Sequence, residues 1–302
     1  MKAAFKDTPV YVQLMMILVV IGLGMLITIA VSSVLIVSKV GLSPETLKDM
    51  QQLNLLDSPE IMRGMQLLQT LGLFLFPAIV CAWLFSDNYR EYLNIDQPIY
   101  IPVVVWTVIS IIVVNPFLNW TYALNQQMVF PEALKGLENW MKESEAAATR
   151  LTELLLDTNH IPTIVLNFLI ICVLAGICEE FMFRGLLQTL FGKAIRNPHI
   201  VIWVIAILFS AIHFQFYGFI TRMLLGAWLG YLMYYTKTIW IPVLAHFTNN
   251  FLGIATYYTF RNTPDEMEKI DTIGSGSTWW LAFASLALFF FCFHQIKKAT
   301  TQ

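Results

Sequence analysis

Long apolar runs that carry no charged residue recur along this 302-residue chain. A helix needs about 20 mostly apolar residues to cross the hydrocarbon core of a bilayer. The runs are continuous and do not alternate with polar residues, which favours helices over barrel strands. The segments predicted to span a membrane are eight in number: 10–39, 64–85, 99–120, 161–191, 200–217, 219–236, 239–260 and 278–296.

The composition agrees with a chain that is largely in contact with lipid. Charged residues make up 13% of the chain and hydrophobic residues 57%, whereas soluble domains average about 25% and 45–50%. We therefore predict an all-α, multi-pass transmembrane helical bundle. The net charge of −2 and the lack of a basic patch argue against a nucleic-acid partner. The oligomeric state is not predicted by the sequence.

Three regions follow from the order of the spans. Residues 1–160 are predicted to hold N-terminal transmembrane helices and long polar loops. Residues 161–260 form four consecutive spans with short connections, and residues 261–302 form a loop and a final transmembrane helix. Spans with short connections are expected to pack as neighbours.

Two of the loops, 41–63 and 121–160, are long and polar. In the second loop, Leu134, Leu137 and Met141 recur at helical spacing. An extra surface helix is therefore predicted from Leu134 to Leu156. This helix is either a solvated connector or a lid that guides substrate.

The bias of lysine and arginine among the short loops predicts the orientation. With the N-terminus inside, the inner segments collect most of the basic residues, and the long acidic loops lie outside. An even number of spans then returns the C-terminus to the inside. We predict an integral protein of the plasma (inner) membrane with both termini cytoplasmic. The inner basic residues are Lys2, Lys6, Arg90, Lys193, Arg196, Lys237, Lys297 and Lys298.

Charged and polar residues inside the later spans need an explanation, because a charge in the bilayer costs about 3 kcal/mol or more. Glu179 and Glu180 follow a nearly pure apolar run, and Arg184 is four residues after Glu180. Residues four apart share a helix face, so Glu180 and Arg184 can pair. Glu179 is rotated by about 100° and points elsewhere, free to act as a base or a ligand.

The next spans add two histidines and an asparagine. His213 follows Phe209 by four residues, and Asn250 follows His246 by four. Each group alone is also explained by hydrogen bonds between helices. Acid, histidine and histidine–asparagine groups on neighbouring spans together predict a buried site that activates water.

Two chemical schemes fit these residues. Glu179, His213 and His246 could hold Zn²⁺ and leave a coordination position for water, with the second carboxylate as general base. Without metal, a glutamate and a histidine could activate water directly, while the other histidine and Asn250 donate to the oxyanion. Both schemes hydrolyse an amide bond, and the sequence leaves the choice open.

The motifs Glu179-Glu180-x-x-x-Arg184, Phe209-x-x-x-His213 and His246-x-x-x-Asn250 resemble those of the CAAX protease and bacteriocin-processing family, also called Abi. This family includes the type II CAAX prenyl endopeptidases. The resemblance covers about residues 161–260, which it identifies as a catalytic core.

The resemblance implies that Glu179 is the catalytic carboxylate with His213, and that His246 and Asn250 complete the site. Glu180 and Arg184 would support it, with Phe209 beside them. The implied activity is an intramembrane endopeptidase, a metalloprotease if zinc is bound, acting on a membrane-associated peptide or protein. The alternative is a non-enzymatic membrane protein, such as a bacteriocin-immunity factor or a regulatory scaffold. A metal-ion transporter is a third hypothesis, which the scarcity of ionisable residues in the first three spans disfavours.

Overall fold

The computed structural model of the protein describes residues 2–40 and 58–301. Most of the predicted polar loop 41–63, with its acids Glu45, Asp49 and Asp57, lies outside these residues. Within them the protein is entirely helical, without a strand, as the apolar runs predict.

Eleven helices, counted in the described residues, organise the fold. Helices α2 and α6 each contain π-helical turns, which lie at Leu71–Leu75 in α2 and at Leu169–Leu174 and Phe181–Gln188 in α6. The helices are α1 Val10–Val40, α2 Pro59–Phe85, α3 Tyr89–Tyr92, α4 Ile101–Gln126, α5 Lys135–Leu156, α6 Ile161–Ala194, α7 Pro198–Ala211, α8 Phe219–Thr236, α9 Trp240–Phe260, α10 Pro264–Asp271 and α11 Trp279–Thr300.

The protein is an integral membrane protein. Within the described residues, five helical segments are long and apolar enough to cross a bilayer: α1, α2, α4, α6 and the segment Pro264–Thr300 that contains α11. Each of the eight predicted spans coincides with a helix, but eight crossings remain a prediction. The continuous span expected over 200–217 is wrong in extent, because α7 ends at Ala211 and Phe214 has a positive φ of 53°. At about 1.5 Å per residue, this 14-residue helix is about 21 Å long.

The segments predicted to be inner lie together at one end of the bundle. Lys6 pairs with Asp87, and Lys193 contacts both Gln13 and the ring of Tyr92. The opposite end holds the connections around α5 and α10, where Arg261 donates to the carbonyl of Thr158 at 2.7 Å. This division agrees with the predicted sorting of the loops, whereas the side that faces the cytoplasm remains a prediction.

The glycines of α8 allow close packing against α7. A Cβ on Gly226 would lie 3.1 Å from the ring of Phe209 and 3.3 Å from the Cα of Ala206. A Cβ on Gly230 would lie 2.9 Å from the side chain of Ile202. The absence of side chains at these positions therefore lets α7 and α8 pack closely. It brings the end of α7 beside α6, where the predicted site residues lie.

The predicted surface helix is present as α5, and it packs against the turn that follows α7. The Trp140 ring lies 5.0 Å from Phe216 and 6.4 Å from Phe214, centroid to centroid. The Glu145 carboxylate accepts a hydrogen bond from the backbone N–H of Tyr217 at 3.0 Å. Helix α5 therefore covers the turn next to His213, and its role as a connector or a lid remains a prediction.

Candidate active site

Helix α6 presents two neighbouring carboxylates in different surroundings. Glu180 is fully buried, and its Oε1 accepts hydrogen bonds from Arg184 Nη1 at 2.7 Å and from His246 Nδ1 at 2.8 Å. The ion pair that the four-residue spacing predicts is thus present. Arg184 Nη2 also donates to the carbonyl of Gly226 at 2.8 Å, so the pair connects α6 to α8 as well as α9.

Glu179 faces both imidazoles. Its Oε2 lies 3.9 Å from Nε2 of His213 and 3.9 Å from Nε2 of His246. Among the described residues this buried oxygen has no hydrogen-bond partner. A buried carboxylate oxygen is costly in that state. Because this oxygen faces two ring nitrogens, it is suited to exchange a proton with a small molecule that binds among the three side chains.

Each histidine is held by its Nδ1 and directs its Nε2 at Glu179. His213 Nδ1 lies 2.7 Å from the carbonyl oxygen of Phe209. A carbonyl only accepts hydrogen bonds, so Nδ1 carries a hydrogen, and in the neutral ring Nε2 then keeps a lone pair. His246 Nδ1 is held by the Glu180 carboxylate, which stabilises the protonated ring. The His213 side chain is 26% exposed and that of His246 6%, so the site is more open beside His213.

The ring of Phe209 packs against Arg184 and against both histidines. Its ring lies 5.1 Å from the His213 ring and 5.9 Å from the His246 ring, centroid to centroid. The guanidinium carbon of Arg184 lies 4.6 Å from the same ring, within cation–π distance. Phe209 therefore contacts both imidazoles and Arg184, and the supporting role that the motif implies for it remains a prediction.

Asn250 is adjacent to this cluster, and the hydrogen bonds described for it do not reach the site atoms. Its Nδ2 donates to the carbonyl of Ile171 at 2.9 Å, and its Oδ1 accepts from Asn249 at 3.3 Å. The Ile171 carbonyl belongs to the first π-helical turn of α6. In this arrangement Asn250 holds α6 against α9. A role as oxyanion donor remains a prediction that requires its amide to turn.

The donor atoms fit zinc in type but not in spacing. Bonds of about 2.0–2.1 Å in a tetrahedral site place neighbouring donors about 3.4 Å apart. The two separations from Glu179 Oε2 are 3.9 Å, and the described residues contain no group of three or more His, Cys, Asp or Glu side chains that could hold a metal. We therefore assign no reaction step to a metal. Zinc binding remains a prediction, which elemental analysis tests.

Sequence reasoning missed Arg222, in the first turn of α8. Its guanidinium donates hydrogen bonds to Gln215, which follows His213 by two residues. The sequence did contain a signal for it: Arg222 is the fourth residue of the predicted span 219–236, and an arginine inside a span is a candidate functional residue. The contact with α5 had no comparable signal, because it depends on how the turn after α7 folds.

Comparisons with known proteins give a relative and a family match. An uncharacterized protein of Bacillus subtilis (strain 168), YpbD, is 29% identical over 85 residues, which are 27% of this chain and 40% of the relative. No solved structure matches the chain. Residues 161–252 match the family described as type II CAAX prenyl endopeptidase Rce1-like. The resemblance that the three motifs predict is thereby confirmed over the helices that carry the site.

Proposed function

We propose that this protein is an intramembrane endopeptidase that hydrolyses a peptide bond of a membrane-associated protein or peptide. The observation that carries the proposal is the unpartnered Glu179 Oε2, which faces two histidine Nε2 atoms at 3.9 Å. The match to the type II CAAX prenyl endopeptidases supports a protease of this kind.

The proposed reaction uses only these side chains and one water. Glu179, aided by the lone pair of His213 Nε2, takes a proton as the water oxygen attacks the scissile carbonyl carbon. The protonated His246 donates from Nε2 to the developing oxyanion, and Glu180 stabilises its charge through Nδ1. When the C–N bond breaks, Glu179 returns the proton to the leaving nitrogen. If Zn²⁺ binds, it would supply a more acidic water to the same residues.

Cleavage in liposomes tests the proposal. The first substrate is an internally quenched, farnesylated peptide of C-a-a-X form, which is suggested by the family match. The second is a peptide of the same length anchored by an apolar helix. We expect the intact protein to cleave at least one of them, and Glu179→Gln to lower turnover by about 10²–10⁴-fold, the usual contribution of a general base.

The matched control is Glu268→Gln, which removes an exposed carboxylate from α10 and should leave turnover unchanged. Full turnover by a folded Glu179→Gln variant would exclude the mechanism. If a Glu179→Gln variant also kept the protein's biological activity in cells, the non-enzymatic alternative would be favoured.

We further infer a plasma-membrane location with both termini cytoplasmic, from the basic residues gathered at one end of the bundle. Cysteine labelling in intact cells and in inverted vesicles tests this orientation. Cysteines at Lys2 and Lys298 should react with an impermeant reagent only in inverted vesicles. Labelling in intact cells would reverse the orientation.

A further inference from the structure

Arg222 is a partly buried cation beside the site whose described hydrogen bonds all go to a neutral residue. Its Nη1 donates to the backbone carbonyl of Gln215 at 3.2 Å, and its Nη2 donates to Gln215 Oε1 at 2.7 Å. Within the described residues, no carboxylate lies within ion-pair distance of this guanidinium. Arg184, by contrast, has the Glu180 carboxylate at 2.7 Å.

The hydrogen bonds to Gln215 leave Arg222 with unused donor capacity. A guanidinium has five N–H donors in a planar fork that matches a carboxylate, and Gln215 accepts from two of its nitrogens. Charge-assisted hydrogen bonds are about twice as strong as neutral ones, so an anion would bind Arg222 more strongly than glutamine does. A cation kept in an apolar bundle without an ion pair is therefore suited to an anionic ligand.

The position of Arg222 places such a ligand next to the site. Its guanidinium is hydrogen-bonded to Gln215, two residues beyond His213, and its charge also acts on Glu179 and His213. On its other side it interacts with Glu145 of α5, whose Oε2 is already engaged by the N–H of Tyr217. A Cβ on Gly218 would lie only 3.2 Å from Arg222 Nη2, so the absence of a side chain there makes room for the guanidinium. Arg222 thus lies between the water-activating residues and the α5 cover.

We propose that Arg222 binds the C-terminal carboxylate of the substrate peptide and so sets which peptide bond reaches Glu179. The inference rests on the proposed function. A peptide end that enters this apolar site brings one obligatory negative charge, and burying that charge without a cation would be costly. The guanidinium offers the compensating charge close to the scissile bond, which makes Arg222 a specificity-determining residue rather than part of the water-activating group.

Two peptides that differ at a single group test the proposal. They are the farnesylated C-a-a-X peptide with a free terminal carboxylate and the same peptide with a terminal amide. We expect the intact protein to prefer the acid by about tenfold or more in kcat/KM, the range of a charge-assisted hydrogen bond, and mainly through KM. Arg222→Gln should remove the preference by slowing only the acid, whereas Arg222→Lys should retain part of it.

The control is Arg261→Gln. Arg261 is another partly buried arginine whose described hydrogen bonds go to neutral groups, the carbonyl of Thr158 and the side chain of Asn159, and it is not placed in the site. This variant should keep the full preference for the acid. Equal cleavage of both peptides by the intact protein would overturn the inference while the proposed function stands. So would an equal slowing of both peptides by Arg222→Gln, since that result indicates an effect on Glu179 alone.

A third peptide separates the sources of the carboxylate. It is amidated and carries aspartate at its last position, and it should be cleaved as slowly as the plain amide. Cleavage as fast as the acid would overturn the assignment to the terminus. If no peptide is cleaved, the proposed function fails for this substrate class, and binding decides the inference. The dissociation constants of acid and amide, measured by fluorescence anisotropy, should then differ by about tenfold, and equal constants would refute it.

Discussion

Glu179 and Glu180 are neighbours in the chain, yet replacing each by glutamine should change the free energy of unfolding of the protein in opposite directions. Glu180 Oε1 accepts hydrogen bonds at 2.7 Å from Arg184 and at 2.8 Å from His246. Glu179 Oε2 is buried without such a bond from any described residue. Glutamine has the shape of glutamate but not its charge, so glutamine at each position measures how much the fold depends on that charge.

The expected magnitudes follow from burial. Glu180→Gln leaves Arg184, which is fully buried, without its counter-charge, and removing one partner of a buried ion pair costs about 3–5 kcal/mol. Glu179→Gln removes a carboxylate whose desolvation the protein compensates poorly, and an unsatisfied buried acceptor costs about 1–3 kcal/mol. The free energy of unfolding of Glu179→Gln should therefore equal or exceed that of the parent protein.

Unfolding in mixed micelles at increasing denaturing detergent provides the assay, with the fluorescence of the nine tryptophans as readout. Cleavage in liposomes is measured on the same samples. We expect Glu179→Gln to be inactive with parental or higher stability, and Glu180→Gln to lose several kcal/mol. The exposed Glu268→Gln should change stability by less than about 0.5 kcal/mol. Equal destabilisation by Glu179→Gln and Glu180→Gln would refute the division of roles.

Three further predictions concern packing, α6 and metal. Gly24→Ala should destabilise the fold by about 1–3 kcal/mol or more, because its Cβ would lie 2.0 Å from the carbonyl oxygen of Gly72. The control in the same unfolding measurement is Gly22→Ala, whose Cβ would have no atom within 4 Å. Asn250→Ala should cost about 1–3 kcal/mol, since it leaves the Ile171 carbonyl without its side-chain donor; an unchanged unfolding free energy would contradict this reason. If Glu179, His213 and His246 move close enough together to bind zinc, elemental analysis of purified protein should find about one zinc per chain, and a chelator should abolish cleavage. A metal-free, active protein would exclude the zinc scheme.

Much of the helical architecture could be predicted because a bilayer leaves few alternatives. Backbone groups in lipid must be satisfied internally, so long apolar runs become helices. The error at 200–217 arose because the turn after α7 is itself apolar and aromatic, so it resembles a span in composition. The Ser210 hydroxyl donates to the carbonyl of Phe219 at 2.7 Å, a bond across the turn that no local pattern indicates. His213 therefore lies in a turn beyond the end of α7 and not within a continuous helix.

The candidate site could be predicted as a set of residues, but not as an arrangement. Helical spacing alone predicts that Glu180 pairs with Arg184 and that Glu179 points elsewhere. Spacing gives no distance between helices, so it could not indicate that both histidine Nε2 atoms face the same oxygen. Spacing also could not indicate that the amide of Asn250 donates a hydrogen bond to the Ile171 carbonyl of α6. These facts depend on how α6, α7 and α9 pack.

Two π-helical turns of α6 flank the α-helical segment that carries both glutamates. One such turn, Leu169–Leu174, precedes the α-helical segment Ala175–Glu180, and the other, Phe181–Gln188, follows it. π-helical turns are rare and occur often at functional sites. Here the Ile171 carbonyl of the first turn accepts a hydrogen bond from Asn250, and Arg184 in the second turn donates to the Gly226 carbonyl of α8. The residues that the motifs place around the reaction therefore also hold the irregular helix that presents Glu179, so the motif residues outside the reacting group should affect stability and turnover together.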